Sequence, residues 1–158
     1  MKILVACFSA SGVTKSYGKR LSEILGADFF EITPQKPYTA EDLNWRNKKS
    51  RSSVEMSDPA SRPEIVGTVN NMGDYDRVFI GFPIWWYKAP TIISTFLESY
   101  DFSGKTVVLF ATSGGSGFGS TAEILKPLLP PNAKLSEGKI VNHISDRDFE
   151  KWAAEYLK

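Results

Sequence analysis

Three apolar runs without polar alternation, Lys2–Phe8, Arg77–Phe82 and Thr106–Ala111, restrict this chain more than anything else in it. Alternation would leave one sheet face in water, whereas unbroken runs of this length need cover on both faces. A parallel sheet flanked by helices provides that cover. Asp28–Ile32 and Lys139–Ile144 are weaker strands by the same criterion. Helical patterns lie between the runs. Val13, Tyr17, Leu21, Ile24 and Leu25 share a face, and Gly26 supplies the stop. Pro90 suits a first turn and is followed by Ile92, Ile93, Phe96, Leu97 and Tyr100. Ala122 and Leu125 lead toward Leu128 and Leu129, with Pro127 ending or kinking that helix. Phe149, Trp152, Ala153, Tyr156 and Leu157 form an amphipathic stripe behind Ser145-Asp146-Arg147-Asp148, a capping-box-like start. Strands alternating with helices predict a doubly wound α/β fold with right-handed crossovers and helices on both faces, one domain over residues 1–158. Residues 33–76 are too long for a plain crossover. Glu41–Met56 reads as a polar helix and Asp58–Pro63 as a turn-rich break, together either a lid over a ligand or decoration.

Hydrophobic residues make up 42% of the 158, enough for a packed core. Nineteen Lys and Arg against 18 Asp and Glu leave a net charge of +1, which gives no reason to expect nucleic acid or a membrane as partner. A single cysteine, Cys7, excludes an internal disulfide, and with His143 the one histidine no metal site is expected. The apolar run after Lys2 is shorter than the ~7–15 residues of a signal-peptide core. No apolar stretch approaches the ~18 residues of a membrane span, so the cytoplasm is the expected compartment.

In a doubly wound sheet the ligand sits beyond the carboxyl ends of the strands. Three such ends lead into unusual loops. Ser9-Ala10-Ser11-Gly12-Val13-Thr14 is a hydroxyl-bearing turn that opens a helix. A helix N-terminus leaves N–H groups unpaired and carries partial positive charge, so this geometry can hold a phosphate. Ser9, Ser11 and Thr14 add neutral donors, and Gly12 lets the backbone approach the anion. The second loop, Gly81–Pro90, contains Trp85-Trp86-Tyr87; three consecutive aromatics cannot all point inward, so at least one faces out, where it suits a planar ligand. The third, Ala111–Ser120, is a glycine-rich turn with many backbone donors. Two familiar motifs fail. Gly12–Arg20 imitates a nucleotide P-loop, but its glycines are one residue too far apart and Arg20 replaces the magnesium-binding hydroxyl. Gly115-Ser116-Gly117 starts a dinucleotide fingerprint that Ser120 fails to complete.

The first of these loops resembles the FMN-phosphate loop of flavodoxins. Gly81-Phe82-Pro83-Ile84-Trp85-Trp86 and Thr112-Ser113-Gly114-Gly115-Ser116-Gly117 are similar to the two flavin-flanking loops of a flavodoxin-like subfamily with a Pro-Ile-Trp-Trp loop. The likeness runs from Lys2 to the last helix. It implies a five-stranded parallel sheet in order 2-1-3-4-5 and non-covalently bound FMN. By that resemblance Ser9, Ser11, Val13 and Thr14 would grip the phosphate, with Val13 offering only its backbone N–H where many flavodoxins carry Asn. Pro83, Ile84 and Trp85 would lie along the ribityl chain and isoalloxazine, with Trp86 and Tyr87 as alternative stacking partners. Thr112, Ser113, Gly114 and Gly115 would offer N–H groups to the pyrimidine edge, and Phe118 would shield the other ring face. Tyr87 stands where related chains often have Gly, which reduces backbone freedom at that turn.

The implied activity is electron transfer by an FMN oxidoreductase, possessing no obligatory acid–base residue, from a reduced donor to a quinone-like or protein acceptor. The alternatives are a flavodoxin electron carrier and a non-redox module for another phosphorylated ligand. Charge balance weakens the carrier case, because carrier flavodoxins are usually strongly acidic. NAD(P)H is the natural candidate donor, and the expected assembly is a monomer or weak homodimer. His143 reads as a packed or surface residue, and the cluster Arg46–Arg51 as a solvated helix face in preference to a reader of the extra phosphate of NADPH.

Overall fold

The computed structural model describes residues 2–157. Five strands form one all-parallel sheet: β1 (Ile3–Cys7), β2 (Asp28–Glu31), β5 (Arg77–Pro83), β6 (Thr106–Thr112) and β7 (Lys134–Ile140). Their order is β2-β1-β5-β6-β7, which is 2-1-3-4-5 within that sheet. The order reverses direction between β1 and β5, the switch point at which such sheets open a crevice. A separate two-stranded antiparallel ribbon pairs β3 (Thr33–Pro34) with β4 (Ile65–Val66).

The apolar runs behave as both-faces-buried strands should. Along β1, Ile3, Val5 and Cys7 pack on one layer while Leu4, Ala6 and the following Phe8 pack on the other. The first layer is closed by α1 (Val13–Leu25) and α5 (Asp146–Ala154), through Leu21, Leu25, Phe149 and Ala153. The second is closed by α3 (Thr91–Glu98) and the short α4 (Thr121–Leu125), through Ile92, Ile93, Phe96, Leu97 and Leu125. Gly81 must lack a side chain because a Cβ there would lie 2.2 Å from the Phe110 ring.

Most helix boundaries follow their sequence signals. Gly26 ends α1 in the left-handed conformation, φ 60°. Ser145 caps α5, its Oγ accepting from the Asp148 N–H. Pro90 is the residue before the first turn of α3, and a 3-10 turn containing Pro127 follows α4.

Two expectations need correction. The last strand runs over Lys134–Ile140, not Lys139–Ile144; Val141–His143 is a 3-10 turn. As an edge strand β7 has its polar residues toward water, and a register shift opposite Val108–Phe110 falls at Gly138, where a Cβ would meet the Leu109 carbonyl at 2.4 Å. Glu41–Met56 is not one helix. Turns fill most of residues 40–49, and only α2 (Arg51–Ser57) is helical.

Candidate functional site

Parallel pairing brings the carboxyl ends of β1, β5 and β6 to one edge. Cys7 is level with Gly81, and Pro83 with Thr112. Pairing continues past the strands, with the Phe8 N–H on the Gly81 carbonyl (2.9 Å) and the Ile84 N–H on the Thr112 carbonyl (2.8 Å). The three loops that leave these ends enclose a cleft of about 810 Å³, within the range of a small-molecule site.

At the β1 end, Gly12 holds φ 94° and its N–H donates to Ser9 Oγ at 2.9 Å, which curls the turn onto the start of α1. No side chain caps this 13-residue helix and its first turn holds no acidic residue, so its amino-terminal N–H groups stay available to an anion. Ser11 and Thr14 line the cleft with Ala10, while Ser9, Gly12 and Val13 shape the turn behind them. Thr14 is buried, and its hydroxyl meets that of Thr112 at 2.8 Å, tying the first loop to the third. Lys15 faces away to Glu31 (2.8 Å), a pairing that raises its pKa.

Pro83, Ile84, Trp85, Trp86 and Tyr87 form the middle wall. Trp85 is the inward ring, edge-on to Phe8 (5.6 Å between centroids) and to Tyr38 (5.5 Å). Trp86 and Tyr87 are the outward ones, 41% and 69% exposed. They sit in succession in left-handed backbone, φ 49° and 61°, between reciprocal bonds joining Trp85 and Lys88. That is a two-residue hairpin turn with positive φ at both central positions, normally an Asn-Gly site. The Tyr87 carbonyl is held by the Ser120 N–H at 3.1 Å, and Gly119 admits it, since a Cβ there would lie 2.0 Å from that oxygen.

At the third loop, Thr112, Ser113, Gly114, Gly115 and Ser116 line the cleft, but fewer backbone donors are free than the glycine-rich pattern suggests. The Ser113 N–H donates to Asn142 Oδ1 (2.9 Å), and the Gly115 and Ser116 N–H groups both donate to Ser113 Oγ. Asn142 Nδ2 and His143 Nε2 in turn donate to the Ser113 carbonyl, so His143 is an exposed residue that supports this loop. The Gly114 N–H takes no such internal bond. Phe118 is not on the cleft wall. It packs edge-on to Phe82 against the core.

Three further lining residues, Leu43, Trp45 and Ser52, come from the long 33–76 segment. Trp45, 66% exposed within a polar stretch, was the one signal available from sequence that this segment reaches the cleft. Within the basic cluster, Arg51 is committed to Glu55, the Lys36 carbonyl and the Tyr38 ring, while Arg46 stacks on Trp45 at 5.1 Å. Tyr38 donates to Glu55, and burial together with that bond pushes the phenol far above its ordinary range. No cluster of three or more potential metal ligands occurs among the described residues, and no described helix is long and apolar enough to cross a membrane.

A parallel α/β sheet that opens its crevice at the switch point, between an uncapped helix terminus and an aromatic wall, defines a doubly wound phospholigand-binding class. Within that class the chain belongs to the flavodoxin family, whose model matches residues 2–156. It is similar to two solved structures of candidate flavoproteins. One, from Bacteroides eggerthii, is 48% identical over 99% of this chain and 98% of the other, with a TM-score of 0.87. The second, from Bacteroides uniformis, is 45% identical over 97% of each chain, with a TM-score of 0.88. A Lactobacillus acidophilus flavoprotein solved in complex with FMN shares the fold at 21% identity over 96% and 98% of the two chains, with a TM-score of 0.71. No curated protein matches the chain.

Proposed function

We propose that this chain binds FMN and transfers electrons, taking them from a reduced donor such as NAD(P)H and passing them to a quinone-like or protein acceptor. The observation that carries this reading is the convergence of a neutral, uncapped helix terminus and an aromatic wall on one cleft of about 810 Å³. The residues fit the cofactor. Ser11, Thr14 and the first N–H groups of α1 would hold its phosphate, with Ser9 and Gly12 fixing the turn and Val13 contributing a backbone N–H. Pro83, Ile84 and Trp85 would flank the tail and ring, Trp86 or Tyr87 would cover the ring from the open side, and Gly114 would meet its polar edge. When bound, the flavin supplies reversible electron acceptance, and the protein sets its access and potential. Aromatic rings on a held flavin exclude water and favour the flat, electron-poor form.

Trp86 and Tyr87 stand exposed at the cleft mouth, which favours a small planar acceptor over a charge-steered protein partner. The working unit is a cytoplasmic monomer or weak homodimer. Absorbance of the purified protein and extraction of its cofactor test the first part: a chain that stays colourless in excess FMN refutes it. Anaerobic reduction by NADH and NADPH, then steady oxidation with a quinone, tests the second. Reduction without quinone turnover identifies a carrier instead.

A further inference from the structure

Ser52 is 2% exposed and its hydroxyl has no hydrogen-bond partner. The serines around it are all satisfied. Ser50 Oγ donates to Ser53 Oγ (2.9 Å), Ser53 Oγ to the Asn47 carbonyl (2.8 Å), and Ser57 Oγ to the Ser53 carbonyl (2.8 Å). A buried hydroxyl with nothing to bond destabilises a folded chain, and alanine would remove the penalty. Ser52 nevertheless borders the cleft, in company with Ser11 and Thr14.

Its backbone is fixed there. The Ser52 N–H donates to the Asp42 carbonyl at 2.9 Å. The preceding Arg51 lies 3.8 Å over the Tyr38 ring, and Tyr38 packs edge-on against both Phe8, just before the Ser9 turn, and Trp85. Those contacts seat α2 beside the seam between the β1 and β5 loops, the switch point of the sheet.

We infer that Ser52 is a ligand-binding residue, its hydroxyl donating to an oxygen on the ribityl–phosphate tail of the flavin. The inference rests on the FMN reading above and adds a donor from outside the three strand-end loops. The oxygen is sealed from water, and rotation of this small side chain between staggered positions would turn it to the tail.

The test is titration of the apoprotein with FMN, riboflavin and lumiflavin, followed by flavin fluorescence, for the wild type and Ser52→Ala. The variant binds FMN about ten-fold more weakly, the loss expected for one hydrogen bond, and binds lumiflavin, which lacks the tail, unchanged. Riboflavin separates the two sources of the acceptor: an equal loss assigns a ribityl hydroxyl, and no loss assigns the phosphate. Apo Ser52→Ala melts at the same temperature as wild type or higher, because no protein bond is removed. Ser52→Cys, nearly isosteric with a weak donor, shows the same ligand pattern. Equal FMN affinity in wild type and Ser52→Ala overturns the inference, as does an equal loss for all three flavins with a lower apo melting temperature. A wild-type chain that binds no FMN instead overturns the functional reading on which it rests.

Discussion

Left-handed backbone costs an L-residue with a full side chain about 1–2 kcal/mol, and this chain accepts that cost twice in succession, at Trp86 and Tyr87. Strain of this kind persists only where the surroundings over-determine the conformation. Here the reciprocal Trp85–Lys88 bonds and the Ser120 grip on the Tyr87 carbonyl do so. Tyr87→Gly should therefore raise stability by about 1 kcal/mol in urea unfolding, because the ring is mostly exposed and little packing is lost. A lower urea midpoint would show that the tyrosine ring carries packing the turn depends on. Gly119→Ala should do the opposite, losing about 2–3 kcal/mol, since a Cβ would press into the Tyr87 oxygen from a position at φ 58°. Trp85→Ala tests the electronic role of the wall. Stacking is worth ~0.5–1.5 kcal/mol and should favour oxidised flavin, so its loss raises the two-electron midpoint by about 10–30 mV. An unchanged midpoint in a potentiometric titration rules that role out. At this scale the sequence announced the residue types but not their geometry. Consecutive aromatics had to include an outward ring, yet nothing in Trp-Trp-Tyr signals a turn that usually selects Asn-Gly. The third loop misled for a related reason: glycines advertise free N–H groups, and only the fold reveals that Asn142 and the Ser113 hydroxyl have taken several of them.

The element that most departs from its sequence pattern is the stretch before α2. Glu41–Met56 has the polarity of a solvated helix, but Asn44 and Asn47 turn their side-chain oxygens to the N–H groups of Arg46 and Lys49, at 3.2 and 2.9 Å. Such local bonds offer the backbone an alternative to the helical ladder, and the chain takes it until Ser50 supplies a cap. What holds the result against the body is the Arg51–Tyr38–Glu55 cluster, with Asp42 3.9 Å from the Arg51 guanidinium. Arg51→Ala should loosen this element without unfolding the sheet. Hydrogen exchange over residues 38–57 should accelerate, by a local loss of about 1–2 kcal/mol, while that of β1, β5 and β6 stays unchanged. Uniform acceleration throughout would mean that the segment belongs to the same cooperative unit as the sheet. The last strand illustrates the complementary difficulty. An edge strand carries polar residues among its apolar ones, so β7 has a weaker signal than the central strands, and Ile140, Val141 and Ile144 around its end drew the expectation too far along the chain.

At the scale of the molecule, the central strands were legible because burial on both faces leaves no room for polar residues, and the loops at their ends could be placed together from parallel topology alone. For residues 33–76 the sequence left a lid and decoration as equal readings, and that Leu43, Trp45 and Ser52 reach the cleft depends on contacts between distant parts of the chain. The same two-sided burial has an electrostatic consequence at Cys7. Burial chiefly, with Glu31 nearby, pushes this thiol from 9.0 to about 12, with Lys15 acting weakly the other way. The folded chain therefore keeps its thiol proton at pH values where the unfolded chain has released it. The unfolded state then binds fewer protons, so stability is complete below about pH 9 and falls as pH rises toward 12. Over that window the linkage amounts to about 4 kcal/mol, three pH units at ~1.4 kcal/mol each. Tyrosines and lysines titrate there too, so the comparison that isolates the thiol is the slope of unfolding free energy against pH for wild type and Cys7→Ala. The variant loses stability at neutral pH through the space left beside Gly18, but its curve should be flatter between pH 9 and 12. Parallel curves would mean that the thiol ionises as easily inside the sheet as outside it. A disulfide reagent offered at pH 8 decides the same point independently: the native chain should leave it unreacted until denaturant is added.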